Sequence, residues 1–241
     1  MNFLILLGLA LAPGVAIMLY IYLKDKHERE PLTLLLTSFF YGALSAIITL
    51  VVSFPLGFLI ILREGDVVDE FFNAMLKVAL TEEFSKFIFI RFVLYNNKNF
   101  NEPFDGIVYS VMVSMGFATL ENILYVFQYG IETGILRMFT AVPAHAMFGV
   151  LMGYFLGRAK FTHHQGFALS VLALLAATVF HGSYDYFWFI ANAQGVWAGI
   201  WIGAIISLAL GIILSRKAIR LHQQASPFIV KERPDEKDKS I

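Results

Sequence analysis

Cysteine is absent from the 241 residues, which excludes disulfides, a thiolate nucleophile and any cysteine-ligated metal. Charge is scarce: Asp, Glu, Lys and Arg make up 15% of the chain, and the 18 basic and 18 acidic side chains cancel. No overall field therefore favours a nucleic acid. No internal repeat is evident. The N-terminal stretch "MNFLILLGLALAPGVAIMLYIYL" lacks a basic leading region and is longer than a signal-peptide core. In spite of its "ALA" it reads as a retained helix.

What the chain has in abundance is apolar side chains, 58% of it, with a mean hydropathy of +0.70. A soluble domain of this length cannot hide so much apolar surface. The expected class is an all-α, polytopic transmembrane bundle of about seven helices. The apolar segments run roughly 2–23, 32–62, 71–95, 104–128, 135–160, 166–191 and 196–215. The second is too long for a straight crossing, and its Pro55 and Gly57 predict a kink, a tilt or an interfacial end. Between segments stand "KDKHEREP", "REGDVVDE", "NNKNFNEP", "QYGIETG", "KFTHHQG" and "NAQG", which read as turns. Residues 1–215 form one expected membrane domain, and 216–241 a charged tail without order. Lys24, Lys26, Arg29, Lys98, Arg158, Lys160, Arg216, Lys217 and Arg220 fall on the odd loops or the C-terminal side. The positive-inside rule then predicts an N-terminus outside and a cytoplasmic C-terminus.

An ionisable group at mid-membrane costs roughly 2.5–3.5 kcal/mol on insertion scales, so it persists where it faces protein and finds partners. The residues of this kind are Glu82, Glu83 and Lys86 in segment three, Glu121 with Asn122 in segment four, His145 in segment five, and His181 with Asp185 in segment six. At about 1.5 Å of rise per residue, Glu83, Glu121, His145 and His181 each fall about 10–18 Å below the outer ends of their segments. One slab in the outer half of the bilayer would hold them all. Lys86 stands i,i+4 from Glu82 and i,i+3 from Glu83, so either carboxylate can pair with it, and two adjacent carboxylates are not both cheaply ionised in a low-dielectric site. His181 and Asp185 are also i,i+4, which lets Asp185 orient the imidazole. Lys86 would hold one of the two carboxylates as an anion and leave the other to gain or lose a proton near neutral pH. His27, His163, His164 and His222 lie in loops or the tail and receive no role. There is no HExxH and no GxGD, and no GxSxG elbow surrounds Ser183 of "HGSYD". Buried carboxylates, a lysine and histidines also build proton relays, so a proton-coupled transporter stands as an alternative, as does a non-catalytic scaffold.

"EEFSK" in segment three, "FDGIVYSVMVSMGFATLEN" in four, "HAMF" in five and "HGSYD" in six together resemble the PrsW family of bacterial intramembrane proteases. That family is distantly similar to the CAAX prenyl endopeptidases and bacteriocin-processing membrane proteases, which share an EE pair followed by two separated histidines. Lys86 and Asp185 stand where the CAAX-type pattern has Arg and often Asn, which favours PrsW. The resemblance implies an endopeptidase of the bacterial cytoplasmic membrane. It would cut a transmembrane substrate, such as an anti-sigma factor, near the extracytoplasmic face and so start regulated intramembrane proteolysis. It also implies that Glu82, Glu83, His145 and His181 form the catalytic set. On that resemblance Glu82 or Glu83 would activate water, Glu82 being favoured because its i,i+4 spacing to Lys86 can keep it anionic. His145 would help bind that water. His181, held by Asp185, would stabilise the oxyanion or protonate the leaving amine, and Glu121 and Asn122 would support the site. The cofactor stays open: two His and a Glu suit zinc with a free position, and equally suit a metal-free mechanism with Glu as general base.

Overall fold

A computed structural model describes residues 3–63, 65–162, 164–194 and 197–229. His163, the breaker Gly195 and tail residues 230–241 lie outside the described residues. Among those described, every regular element is helical: α1 Phe3–Lys24, α2 Leu32–Leu59, α3 Val67–Phe72, α4 Thr81–Ile88, α5 Pro103–Tyr129, α6 Ile131–Phe139, α7 Ala141–Phe161, α8 Gly166–Gln194 and α9 Trp197–Gln224. Six stretches are long and apolar enough to span a membrane: Phe3–Lys24, Leu32–Leu59, Pro103–Tyr129, Ile131–Phe161, Gly166–Ala193 and Ile202–Gln224. The exterior is apolar, with Phe40, Val51, Phe54 and Phe58 of α2 exposed. Lipid satisfies such a surface, and helices satisfy their own backbone there.

Helix α5 is the axis of the bundle. Its residues Phe104–Thr119 are buried without interruption, because α1, α2 and α7 all pack around it. Contact with α2 is backbone to backbone. A Cβ on Gly42 would lie 1.9 Å from the Val113 carbonyl oxygen, and one on Gly116 1.8 Å from that of Phe39. Only glycine permits that approach, the small-residue packing that membrane helices use. At its N-terminus α5 is closed by a capping box between Glu102 and Asp105, with Pro103 in the first turn.

Three expectations change. Segment three is continuous helix from Val67 to Asn96, but it is not uniformly α. π-helical turns at Asn73–Leu80 and Phe89–Val93 bracket α4, and a 3₁₀ turn closes it at Leu94–Asn96. Segment five is not one helix over 135–160. Gly130, at φ 90°, ends α5, and the second half of the supposed turn "QYGIETG", Ile131–Gly134, opens α6, which breaks from α7 at Thr140. The helical part of the last segment runs on to Gln224, through residues expected in the tail. His222 is therefore buried and stacked on Tyr154 at 4.6 Å rather than free in the tail.

The α1–α2 loop is folded under the bundle. Asp25 and Glu30 are buried there, and Tyr109 of α5 donates a hydrogen bond to Glu30. Burial raises the Asp25 pKa to about 6 and the Glu30 pKa to about 7. A carboxyl whose folded pKa is raised stabilises the fold most below the ordinary carboxylate range, and that contribution is lost as pH rises through the folded value. The melting temperature in detergent is therefore expected to fall between about pH 5 and pH 8, and Glu30→Gln to flatten the fall. An increase over that range would contradict the burial of these acids.

Candidate active site

The π turns of segment three and the i,i+3/i,i+4 register of α4 aim three charged side chains inward. Gly182 of α8 lets the first π stretch come close, since a Cβ there would lie 3.0 Å from the Met75 Cα. A π turn inside a helix re-aims side chains and recurs at functional positions. On the opposite side of α4, Ser85 and Thr49 of α2 share a hydrogen bond of 2.8 Å, which fixes the rotation of the helix.

Lys86 and Glu83 are fully buried. Lys86 Nζ donates to Glu83 Oε1 at 2.7 Å and lies 3.7 Å from Glu82 Oε2. The lysine therefore holds Glu83 rather than Glu82, against the expectation from the i,i+4 spacing. Glu83 Oε1 also meets His181 Nδ1 at 2.9 Å, and on the other edge of that ring Asp185 Oδ2 lies 3.1 Å from Nε2. Carboxylates on both sides and Phe148 stacked 4.5 Å from its face fix the His181 plane. Lys86 Nζ reaches His145 Nδ1 at 3.2 Å. An ammonium can only donate, so Nδ1 accepts. The ring proton then sits on Nε2 and is donated to Glu121 Oε2 at 2.9 Å. His145 and His181 stand edge to face with centroids 5.1 Å apart.

Glu121 is held from its other side by Arg137, whose Nη2 donates to Glu121 Oε2 at 2.7 Å and whose Nε donates to Asn122 Oδ1 at 3.0 Å. Asn122 in turn donates to the Ala10 carbonyl of α1 at 3.0 Å. Each polar residue singled out in four separate apolar segments thus enters one network. Arg137 was not among the residues singled out, although Glu132 and Arg137 both belong to the short amphipathic helix α6.

The network opens on a cavity of about 710 Å³ whose lining includes Glu82, Glu121, Arg137, His145, His181 and Asp185. Glu83 and Lys86 do not line it. Tyr125, Tyr184 and Trp188 form aromatic parts of its wall. Glu82 Oε2 is buried and has no hydrogen-bond partner. One ligating atom each from Glu82, His145 and His181 lies within 4.8 Å of the others, a set able to hold a metal ion. Two imidazoles, a carboxylate and an adjoining cavity are the donor set of catalytic zinc with an open position, and the unpaired Glu82 oxygen fits that use. Both nitrogens of His145 and of His181 are engaged, so a metal ligated by either ring would take the place of one of its two polar contacts.

Comparison with known proteins gives the family. Residues 30–214 match the family described as PrsW family intramembrane metalloprotease. The chain belongs to the PrsW family. It is 38% identical to the Protease PrsW of Geobacillus kaustophilus, over 92% of this chain and 96% of that protein. It is 37% identical to the Bacillus subtilis Protease PrsW, over 80% and 85%, and 34% identical to that of Clostridioides difficile, over 74% and 76%. No solved structure matches the chain. The protein is accordingly a multi-pass membrane peptidase of the PrsW family, and its substrate lies with it in the bilayer.

Proposed function

We propose that Glu82, His145 and His181 form the hydrolytic centre of this PrsW-family protease and that Glu82 is the reacting carboxylate. The observation that carries this is the Glu82 carboxylate on the cavity wall beside both imidazoles, its Oε2 without a hydrogen-bond partner. Glu83, turned away from the cavity and engaged by Lys86 and His181, positions rather than reacts.

A peptide carbonyl in the cavity would be attacked by water that loses its proton to the Glu82 carboxylate. Lys86, within 3.7 Å, favours the anionic form that accepts this proton. His181, held between Glu83 and Asp185, would pass a proton from Nε2 to the leaving amine. His145, with its tautomer set by Lys86, would turn its Nε2–H from Glu121 to the attacking water or the carbonyl oxygen. A zinc-type ion, if held by Glu82, His145 and His181, would supply a Lewis acid for the carbonyl and an acidified water. Ligation by one Glu82 oxygen leaves the second for proton transfer.

The finer reading follows from family and topology. With the basic loops cytoplasmic, the cavity faces the outer half of the bilayer. The substrate would be a single-span membrane protein of the anti-sigma-factor kind, cut near its extracytoplasmic end. A reporter fused after Arg220 should then be active only in the cytoplasm.

Metal dependence has a direct test. Purified protein is expected to carry about one zinc-type ion per chain, to lose cleavage on dialysis against 1,10-phenanthroline and to regain it with added zinc. Full activity in a metal-free sample would assign water activation to Glu82 alone.

A further inference from the structure

A second cavity, of about 480 Å³, adjoins the catalytic one. Arg63, Glu70, Asn73 and Lys77 line it, together with Phe189 and Asn192, which also line the catalytic cavity. Three of its charged groups differ in kind. Arg63 is committed, its Nε donating to Asp69 at 2.9 Å. Glu70 is buried and accepts from the Gly65 amide at 3.1 Å and from Asn73 Nδ2 at 3.2 Å. The Lys77 ammonium forms no hydrogen bond or ion pair among the described residues, although the residue is half-buried. A half-buried ammonium without a partner in a cavity wall can take an anion.

We infer that Lys77 reads an acidic side chain of the substrate a few residues from the scissile bond, on the side leading to Ile60–Arg63; this rests on the proteolytic reading of the Glu82 site. Position supports a peptide over a lipid. The two cavities meet at Phe189 and Asn192, so one extended segment can occupy both. Lys77 precedes Glu82 by five residues, about 6–8 Å along the helix, and an extended chain advances about 3.3–3.6 Å per residue. With the reach of the two side chains, the partner carboxylate falls two to four residues from the cut. Lys77 is thus a specificity-determining residue that leaves the reacting groups untouched.

The test uses full-length protein in nanodiscs and a single-span substrate with Asp, Asn or Lys placed in turn at each of these positions. For the best Asp substrate, Lys77→Met is expected to raise KM about tenfold, the worth of one partly desolvated charge pair, with kcat within about twofold. Lys77→Glu should reject the Asp substrate and recover on the Lys one, a rescue that misfolding cannot produce. Equal KM for Asp, Asn and Lys substrates would overturn the inference while leaving the protease intact. So would a Lys77→Met defect that appears only with anionic lipid, since Lys77 would then hold a lipid headgroup. If the unmutated protein cleaves none of them, the proteolytic reading fails, and this one with it.

Discussion

Glu82→Gln is expected to reduce cleavage by about 10²–10⁴-fold, the scale of a lost general base, while leaving the protein folded. The amide keeps the shape of the side chain but cannot accept the proton of water. Stability should hold because Glu82 Oε2 makes no hydrogen bond that the amide would lose. Its contact with Lys86 is long, at 3.7 Å. Glu83→Gln should behave differently: it weakens the 2.7 Å contact to Lys86 and the 2.9 Å contact to His181 at once. That variant should lose activity together with melting temperature. Cleavage of a tagged single-span substrate, read beside a melting curve in detergent, separates the two. A folded Glu82→Gln protein that cuts at the normal rate would remove Glu82 from the reaction.

The largest stability loss is expected from Lys86→Met. The methionine fills much of the space, but Glu83 is then a fully buried carboxylate without its cation, and His145 Nδ1 loses its donor. Removing one partner of a buried ion pair costs about 3–5 kcal/mol, which for a chain of this length lowers the melting temperature by about 10 °C. The double variant Lys86→Met with Glu83→Gln should recover part of that loss, since no uncompensated charge remains. An unchanged melting temperature in the single variant would mean that the Lys86–Glu83 contact carries none of the fold.

Much of this was legible in the residues. Long apolar runs fixed the membrane helices, because little else decides the fate of twenty consecutive apolar side chains. Polar residues inside them stood out for the same reason, and the shared depth of Glu83, Glu121, His145 and His181 anticipated that one network would hold them. The i,i+4 pairing of His181 with Asp185 survived unchanged. The choice Lys86 makes between Glu82 and Glu83 was not legible: the register of α4 allows both, and the decision comes from His181 on α8 and His145 on α7, which no local spacing encodes. Helix α6 was hidden because Gly130, Glu132 and Gly134 look like a turn, and Arg137 was overlooked with it. The π turns before and after α4 arise from packing, with Gly182 of α8 closing on Met75, and leave no periodicity of their own.

The most direct measurement puts purified protein and a purified single-span substrate together in nanodiscs in ¹⁸O-water and maps the products by mass spectrometry. The expected result is one new carboxyl terminus carrying ¹⁸O near one end of the substrate span. It should be absent with a folded protein in which Glu82→Gln, His145→Ala and His181→Ala are combined. An intact substrate, or the same labelled product at the same rate from that triple variant, would contradict the assignment of the Glu82–His145–His181 cluster as the hydrolytic centre.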